Sequence, residues 1–348
     1  MNPIIAHIAK CGPVSVAEYM ELALTHPEWG YYQKETVFGA GGDFITAPEI
    51  SQIFGEMIGI WCADLWMKMD APETFSLIEL GPGRGTLMRD LLRATNHIKG
   101  FHEAAHIHLV EASRQLRIHQ QQVIHHPHLA THTSVKTLPN APSIIIANEF
   151  FDALPICQYI YRGEQWFEHR IESDGETLRW NKIPYTAMLT DWSEEIAPDT
   201  VVEQCIAAEA IIDTLGTLIR EYGGGLLICD YGYEHGSNGD TLQAVKHHQY
   251  TDILDAPGSC DITAHVDFKR LQILSQKAGL KPSRIASQGD FLIRMGALER
   301  AERLTTGMNS DAKNTILNSL NRLVSPVHMG TLFKALACTH PLIEPAGF

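Results

Sequence analysis

Residues 75–86, Phe-Ser-Leu-Ile-Glu-Leu-Gly-Pro-Gly-Arg-Gly-Thr, constrain the fold more than any other stretch of the chain. A short apolar strand carries an acidic residue, Glu79, near its end and runs into glycines at alternate positions, Gly81, Gly83 and Gly85. The amphipathic run from Thr86 to Thr95 then reads as a helix. Glycine lets a backbone turn sharply and approach a ligand with no Cβ in the way. Strand, glycine loop and helix in this order form the unit with which doubly wound α/β sheets hold nucleotide-like cofactors. In a dinucleotide fingerprint the third glycine falls one position later, where Thr86 stands, so the spacing argues against a pyrophosphate loop and a dehydrogenase. Taken alone, the glycines also read as a plain strand–helix turn.

The flanking sequence supports the α/β reading. Strands are expected at 76–80, 107–111, 143–148 and 225–230, with helices at 86–95, 113–124 and 202–222. Apolar runs such as Ser-Ile-Ile-Ile-Ala and Gly-Leu-Leu-Ile-Cys suit strands covered on both faces, and their alternation with helices implies a parallel, doubly wound sheet. Residues 1–70 read as a mostly helical N-terminal extension, with capping boxes at Ser15/Glu18 and Thr46/Glu49 and a helix over 47–68. Residues 71–348 would form the main domain, interrupted at about 156–190 by a small antiparallel β insertion. Helices at 267–278 and 311–324 and a strand at 331–338 complete the pattern, while 188–201 and 232–264 read as long loops.

Composition removes several classes of function. The net charge of −14 argues against nucleic-acid binding, which depends on Lys and Arg neutralising phosphates. No run of 18 apolar residues is present, so no membrane span is expected. The first twelve residues lack the features of a signal or transit peptide, and the seven cysteines lack paired spacing, which together suggest a cytoplasmic protein with reduced thiols. Of 18 histidines, a cluster falls at His125, His126, His128 and His132; without further ligands at metal spacing it reads as a solvated loop, and no metal site is expected.

Two further constellations carry chemistry. Glu111, at the end of the next strand, can accept hydrogen bonds from both hydroxyls of a ribose. Asn148-Glu149-Phe150-Phe151-Asp152, at the end of the 143–148 strand, places two carboxylates where such sheets line their ligand crevice. Glu149 and Asp152 can clamp a guanidinium or accept a proton; they can equally cap a turn. Gly42, Asp43 and Phe44 lie in a glycine-rich loop that reads either as a lid or as a connection, and His265, beside Asp261 and Asp267, is a candidate on the substrate side.

The motif order is specific. Gly41-Gly42-Asp43-Phe44-Ile45-Thr46-Ala47-Pro48-Glu49, the Glu-Leu-Gly-Pro-Gly-Arg-Gly loop and Asn148-Glu149-Phe150-Phe151-Asp152-Ala153-Leu154-Pro155 are followed by Cys229-Asp230-Tyr231-Gly232-Tyr233 and Asp261-Ile262-Thr263-Ala264-His265-Val266-Asp267. From about Gly12 to Ala337 the chain resembles the MidA family of class I S-adenosylmethionine methyltransferases, as a bacterial member. That family includes the mitochondrial protein arginine methyltransferase that assists respiratory complex I assembly. The resemblance implies a Rossmann-like fold, S-adenosylmethionine as cofactor and a protein substrate whose arginine is symmetrically dimethylated, on the subunit related to the 49 kDa subunit of complex I. The glycine loop and Glu79 would hold the methionine part of the cofactor, Glu111 its ribose, and Glu149 with Asp152 the guanidinium, with Asn148, His265 and the 42–44 lid on the substrate side. A small-molecule or peptide N- or O-methyltransferase and a non-catalytic assembly chaperone are the alternatives.

Overall fold

A computed structural model describes residues 2–33, 46–186, 197–235, 239–246 and 249–348. The chain divides into two compact units, one of Met1–Phe44, Asp152–Glu209 and Gly236–His265, the other of Ile45–Phe151, Ala210–His235 and Val266–Phe348. The lid residues Gly42, Asp43 and Phe44, and 188–196 of the expected long loop, lie outside the described residues.

The second unit is built on a nine-stranded sheet. From one edge its path runs through Leu129–His132, Ala105–Val110, Phe75–Leu80, Ser143–Asn148 and Gly224–Tyr233, all parallel, to Phe333–Thr339, which is antiparallel. Every residue of the 75–80 and 143–148 strands is buried, as expected for central parallel strands with both faces covered. The chain leaves the 75–80 strand in one direction, through 105–110 to 129–132, and returns on the other side at 143–148. This reversal is a topological switch point, the place where open α/β sheets bind ligands. Helix Gln52–Lys68 packs against Thr86–Thr95 so closely that a Cβ on Gly59 would meet the Leu91 carbonyl oxygen at 3.1 Å. Its buried Glu56 carboxylate takes Arg300 through Nε at 2.7 Å and Nη2 at 3.1 Å, joining helix Ala297–Thr305 to the same face.

The first unit carries an antiparallel sheet in the order Val14–Ser15, Gln165–Ser173, Cys157–Arg162, Val201–Gln204, with Leu178–Tyr185 paired to 165–173. Its core gathers Ile4, Ile8, Tyr19 and Met20 from two N-terminal helices with Ile171 and Ile262 from the strands. The Ser15 capping box forms in full: Glu18 N–H donates to Ser15 Oγ at 3.1 Å and Ser15 N–H to Glu18 Oε2 at 2.7 Å.

Several local expectations change. Thr46 makes no side-chain cap; the helix expected over 47–68 is Ala47–Ile50 followed by Gln52–Lys68, broken where Ser51 is extended and caps Ile53 N–H at 3.3 Å. Glu49 instead accepts from Thr86 Oγ1 at 2.5 Å. Val201–Gln204 is a strand paired to 157–162, so the helix begins only at Ile206. Within 232–264 the described residues form a three-stranded sheet of Gln249–Thr251, Gln243–Lys246 and Asp261–Thr263. Leu129–His132, expected as loop, is the parallel edge strand.

Candidate active site

All three motif glycines adopt positive φ, at 62° for Gly81, 51° for Gly83 and 76° for Gly85, a conformation costly for residues with a Cβ. Two of them also have packing reasons. A Cβ on Gly81 would sit 3.0 Å from Phe150 Cδ2, and one on Gly85 would sit 2.9 Å from Ile124 Cδ1. Gly83 differs, since a Cβ there would meet no atom of the described residues within 4 Å. Its left-handed backbone has the form a loop takes where a ligand comes close to the main chain.

Two carboxylates flank this loop from the ends of neighbouring parallel strands. Glu79 is buried; the Met88 amide hydrogen bonds to it, yet Oε2 has no partner among the described residues. Burial first, and then the nearby Glu111, push its pKa up to about 8. Glu111 accepts from Ser113 N–H at 2.9 Å through Oε1 and from Gln120 Nε2 at 3.4 Å through Oε2. Burial raises it to about 7 despite these bonds. Gln120, fully buried on helix Arg114–Val123, also donates to the Gly83 carbonyl at 2.7 Å, tying the loop to the acidic strand end. Sequence reasoning passed over Gln120, because one glutamine on an amphipathic helix carries no distinguishing signal.

The Asn148–Glu149 segment lies one strand away. Asn148 pairs in register with Cys229, and its Nδ2 donates to Glu149 Oε1 at 3.3 Å while its buried Oδ1 has no partner among the described residues. Glu149 is held at φ 48°, a strained conformation for a residue with a side chain. Its N–H donates to the Cys229 carbonyl at 2.9 Å, and its Oε1 accepts from Ala47 N–H at 2.9 Å. Asp230, with no exposed surface, holds the turn that follows: Oδ2 accepts from Phe150 N–H at 3.1 Å and Phe151 N–H at 3.0 Å, and Oδ1 from Tyr231 N–H at 2.9 Å. Asp230 is a second residue missed as a site candidate, although a carboxylate at the end of an apolar strand was a visible signal.

The structure therefore gathers Glu79, the glycines, Glu111, Asn148 and Glu149 around adjoining strand ends, with Phe150 against Gly81. Asp152 and His265 belong to the first unit. There the Asp152 carbonyl accepts from Ala264 N–H at 3.0 Å and His265 N–H donates to Thr241 Oγ1 at 2.9 Å, with burial lowering the His265 pKa. Among the described residues no group of three His, Cys, Asp or Glu is placed to hold a metal ion. Two histidines of the 125–132 stretch pair with others: His108 Nδ1 and His132 Nε2 are 2.9 Å apart, and His106 stacks on His128 at 4.4 Å.

A parallel sheet that reverses beside a left-handed glycine loop, with carboxylates at the next two strand ends, is built to hold a nucleotide-like ligand and suits S-adenosylmethionine, the donor of the class I methyltransferases. The residues fit that cofactor. An unpaired buried carboxylate oxygen on Glu79 matches a cationic ammonium, the Glu111 carboxylate matches a diol, and Gly83 leaves the approach open. Residues 57–286 match the family described as "Putative S-adenosyl-L-methionine-dependent methyltransferase", and the chain belongs to that family. It is 38% identical to the mitochondrial protein arginine methyltransferase NDUFAF7 of Danio rerio, over 95% of this chain and 85% of that protein. The Drosophila melanogaster homolog is 36% identical over 95% of this chain and 83% of its own length, and the human protein 33% over 97% and 83%. A Burkholderia thailandensis protein crystallised with S-adenosyl-homocysteine shares the fold, with a TM-score of 0.83, 24% identity and coverage of 99% of this chain and 93% of that one. Among the described residues no helix is long and apolar enough to cross a membrane.

Proposed function

We propose that this methyltransferase acts on arginine side chains of a protein, and that Glu149 is the carboxylate that receives the guanidinium. The observation that carries the reading is the Glu149 geometry: a strained, half-buried carboxylate fixed at the strand end next to the glycine loop, with one oxygen engaged by Ala47 and Asn148. Residues in such conformations persist only where their surroundings hold them, and they cluster at functional sites. The names of the relatives support the same substrate class.

When bound, the cofactor supplies an electrophilic methyl group on a sulfonium. The rest of the work falls to the chain, and in methyl transfer that work is mostly alignment. The Gly83 backbone and the Glu79 and Glu111 carboxylates hold the donor in place. Glu149 accepts hydrogen bonds from the guanidinium, which concentrates nucleophilic character on one terminal nitrogen and offers an acceptor for the proton it loses. Asp152 is proposed as a second carboxylate for the acceptor, to be tested by its own variant, Asp152→Asn. His265 and the 42–44 lid are proposed on the substrate side by family resemblance. The same resemblance supports symmetric dimethylation of the subunit related to the 49 kDa subunit of complex I, and the scattered, unpaired cysteines support a reducing compartment such as the bacterial cytoplasm.

The test is transfer of labelled methyl from S-adenosylmethionine to arginine peptides and to purified complex I subunits. Label on arginine, lost at least about a hundredfold in Glu149→Gln while cofactor binding persists, is expected. Label confined to a small molecule or to another side chain would overturn the arginine reading. Unchanged arginine transfer by Glu149→Gln would remove the role given to that residue.

A further inference from the structure

A cavity of about 280 Å³ lies wholly within the first unit, lined by the 178–185 strand, the segment 240–244 and the 249–251 strand with the residues after it. It shares no residue with the candidate active site. Ala244 and Ile253 give it a buried apolar base. Two large aromatic side chains line it and stay exposed, Trp180 at 41% and Tyr250 at 78%. Trp180 rests against His169 with ring centroids 5.5 Å apart, which steadies the indole. Asp240 and Asp252 line the same cavity, and among the described residues its lining includes no Lys, Arg or His.

The aspartates are held but not saturated. Asp240 Oδ1 accepts from Gln158 Nε2 at 2.6 Å, and Asp252 Oδ1 accepts from Leu254 N–H at 2.9 Å. The second oxygen of each has no donor among the described residues. An apolar ligand would desolvate these carboxylates without compensation. An ammonium would answer their charge but present no plane to the aromatic rings. A guanidinium does both, stacking by its face on Trp or Tyr and donating from its edge to carboxylates.

We infer that this cavity docks an arginine side chain of the protein substrate, separate from the arginine that is methylated. The inference rests on the protein-arginine reading above and deepens it, since a second anchoring arginine would select basic segments over isolated arginines. It also gives a net charge of −14 a local use in recognition.

The test uses the full chain labelled with ¹⁵N, the Trp180 indole signal assigned through Trp180→Phe, and N-acetyl-arginine amide as the probe. The Trp180 signal is expected to move with this probe and to stay still with N-acetyl-citrulline amide, its neutral isostere. Asp240→Asn combined with Asp252→Asn keeps both Oδ1 acceptors and should weaken the arginine effect about fivefold. Tyr250→Ala, at a site that is mostly solvent-exposed, should weaken it about threefold. A silent Trp180 signal, or equal shifts with arginine and citrulline, would overturn the inference. Methyl transfer is read in a separate assay. Arginine methylation with a silent Trp180 would sink the docking site alone, and a responsive Trp180 with no arginine methylation would sink the reaction assignment alone.

Discussion

Glu79 and Glu111 are two buried strand-end carboxyls that cost the ligand-free fold stability. Both carboxyls sit above the usual carboxylate range because they are buried, with the nearby Glu111 adding to the rise at Glu79. While protonated they favour the folded chain. That contribution is complete below about pH 4.5 and is lost as pH rises through about 7 and 8, where burial penalises the ionised forms. Glu79→Gln should therefore match the parent in ligand-free stability at pH 4.5. By pH 8.5 it should exceed it by up to about 5 kcal/mol, while cofactor affinity falls. Thermal melts of both proteins across that range check this, and a pH-independent difference would contradict it. Asp230 works differently, by positioning the turn after Glu149. Asp230→Asn loses at least one of its amide hydrogen bonds, costing about 1–3 kcal/mol. It should lower kcat more than it changes the cofactor Kd, which turnover assays and titration calorimetry separate. Gly83→Ala meets no clash among the described residues, so it should stay folded and lose cofactor affinity about tenfold or more in the same calorimetry.

At the scale of elements, the glycine loop is only as well placed as the helix it feeds. Helix 86–95 is held by the close approach of 52–68 at Gly55 and Gly59, where a Cβ would lie 2.8 Å from Asp90 Cβ and 3.1 Å from the Leu91 carbonyl oxygen. Gly59→Val should destabilise the chain by about 1–3 kcal/mol in urea unfolding through overpacking, even though valine removes a helix glycine. The central strands were legible because six-residue apolar runs bounded by glycine and acidic residues have few other readings. The Ser15 capping box was legible because its bonds are local. Leu129–His132 was not, since four partly exposed residues become a strand only through pairing with 105–110. Val201–Gln204 was merged into its helix for the same reason, its strand character coming from residues some 40 positions earlier. The site followed the same division. Glycines and strand-end carboxylates announced themselves, whereas Gln120 acquires its role only once the fold brings it to Gly83.

At the scale of the whole molecule, the glycine loop and the strand-end carboxylates lie in the sheet unit, where the donor and Glu149 acceptor roles are proposed, while the proposed second arginine site lies in the first unit. Membership of the methyltransferase family and the shared fold set the reaction class. The assignment to protein arginine is the central claim, and it is tested most directly in cells. Mass spectrometry of arginine methylation should compare cells with the gene, without it, and complemented by Glu149→Gln. A methylated arginine on a complex I subunit, lost on deletion and restored by the parent gene but not by Glu149→Gln, is the predicted result. An unchanged set of methylated arginines across all three would contradict it.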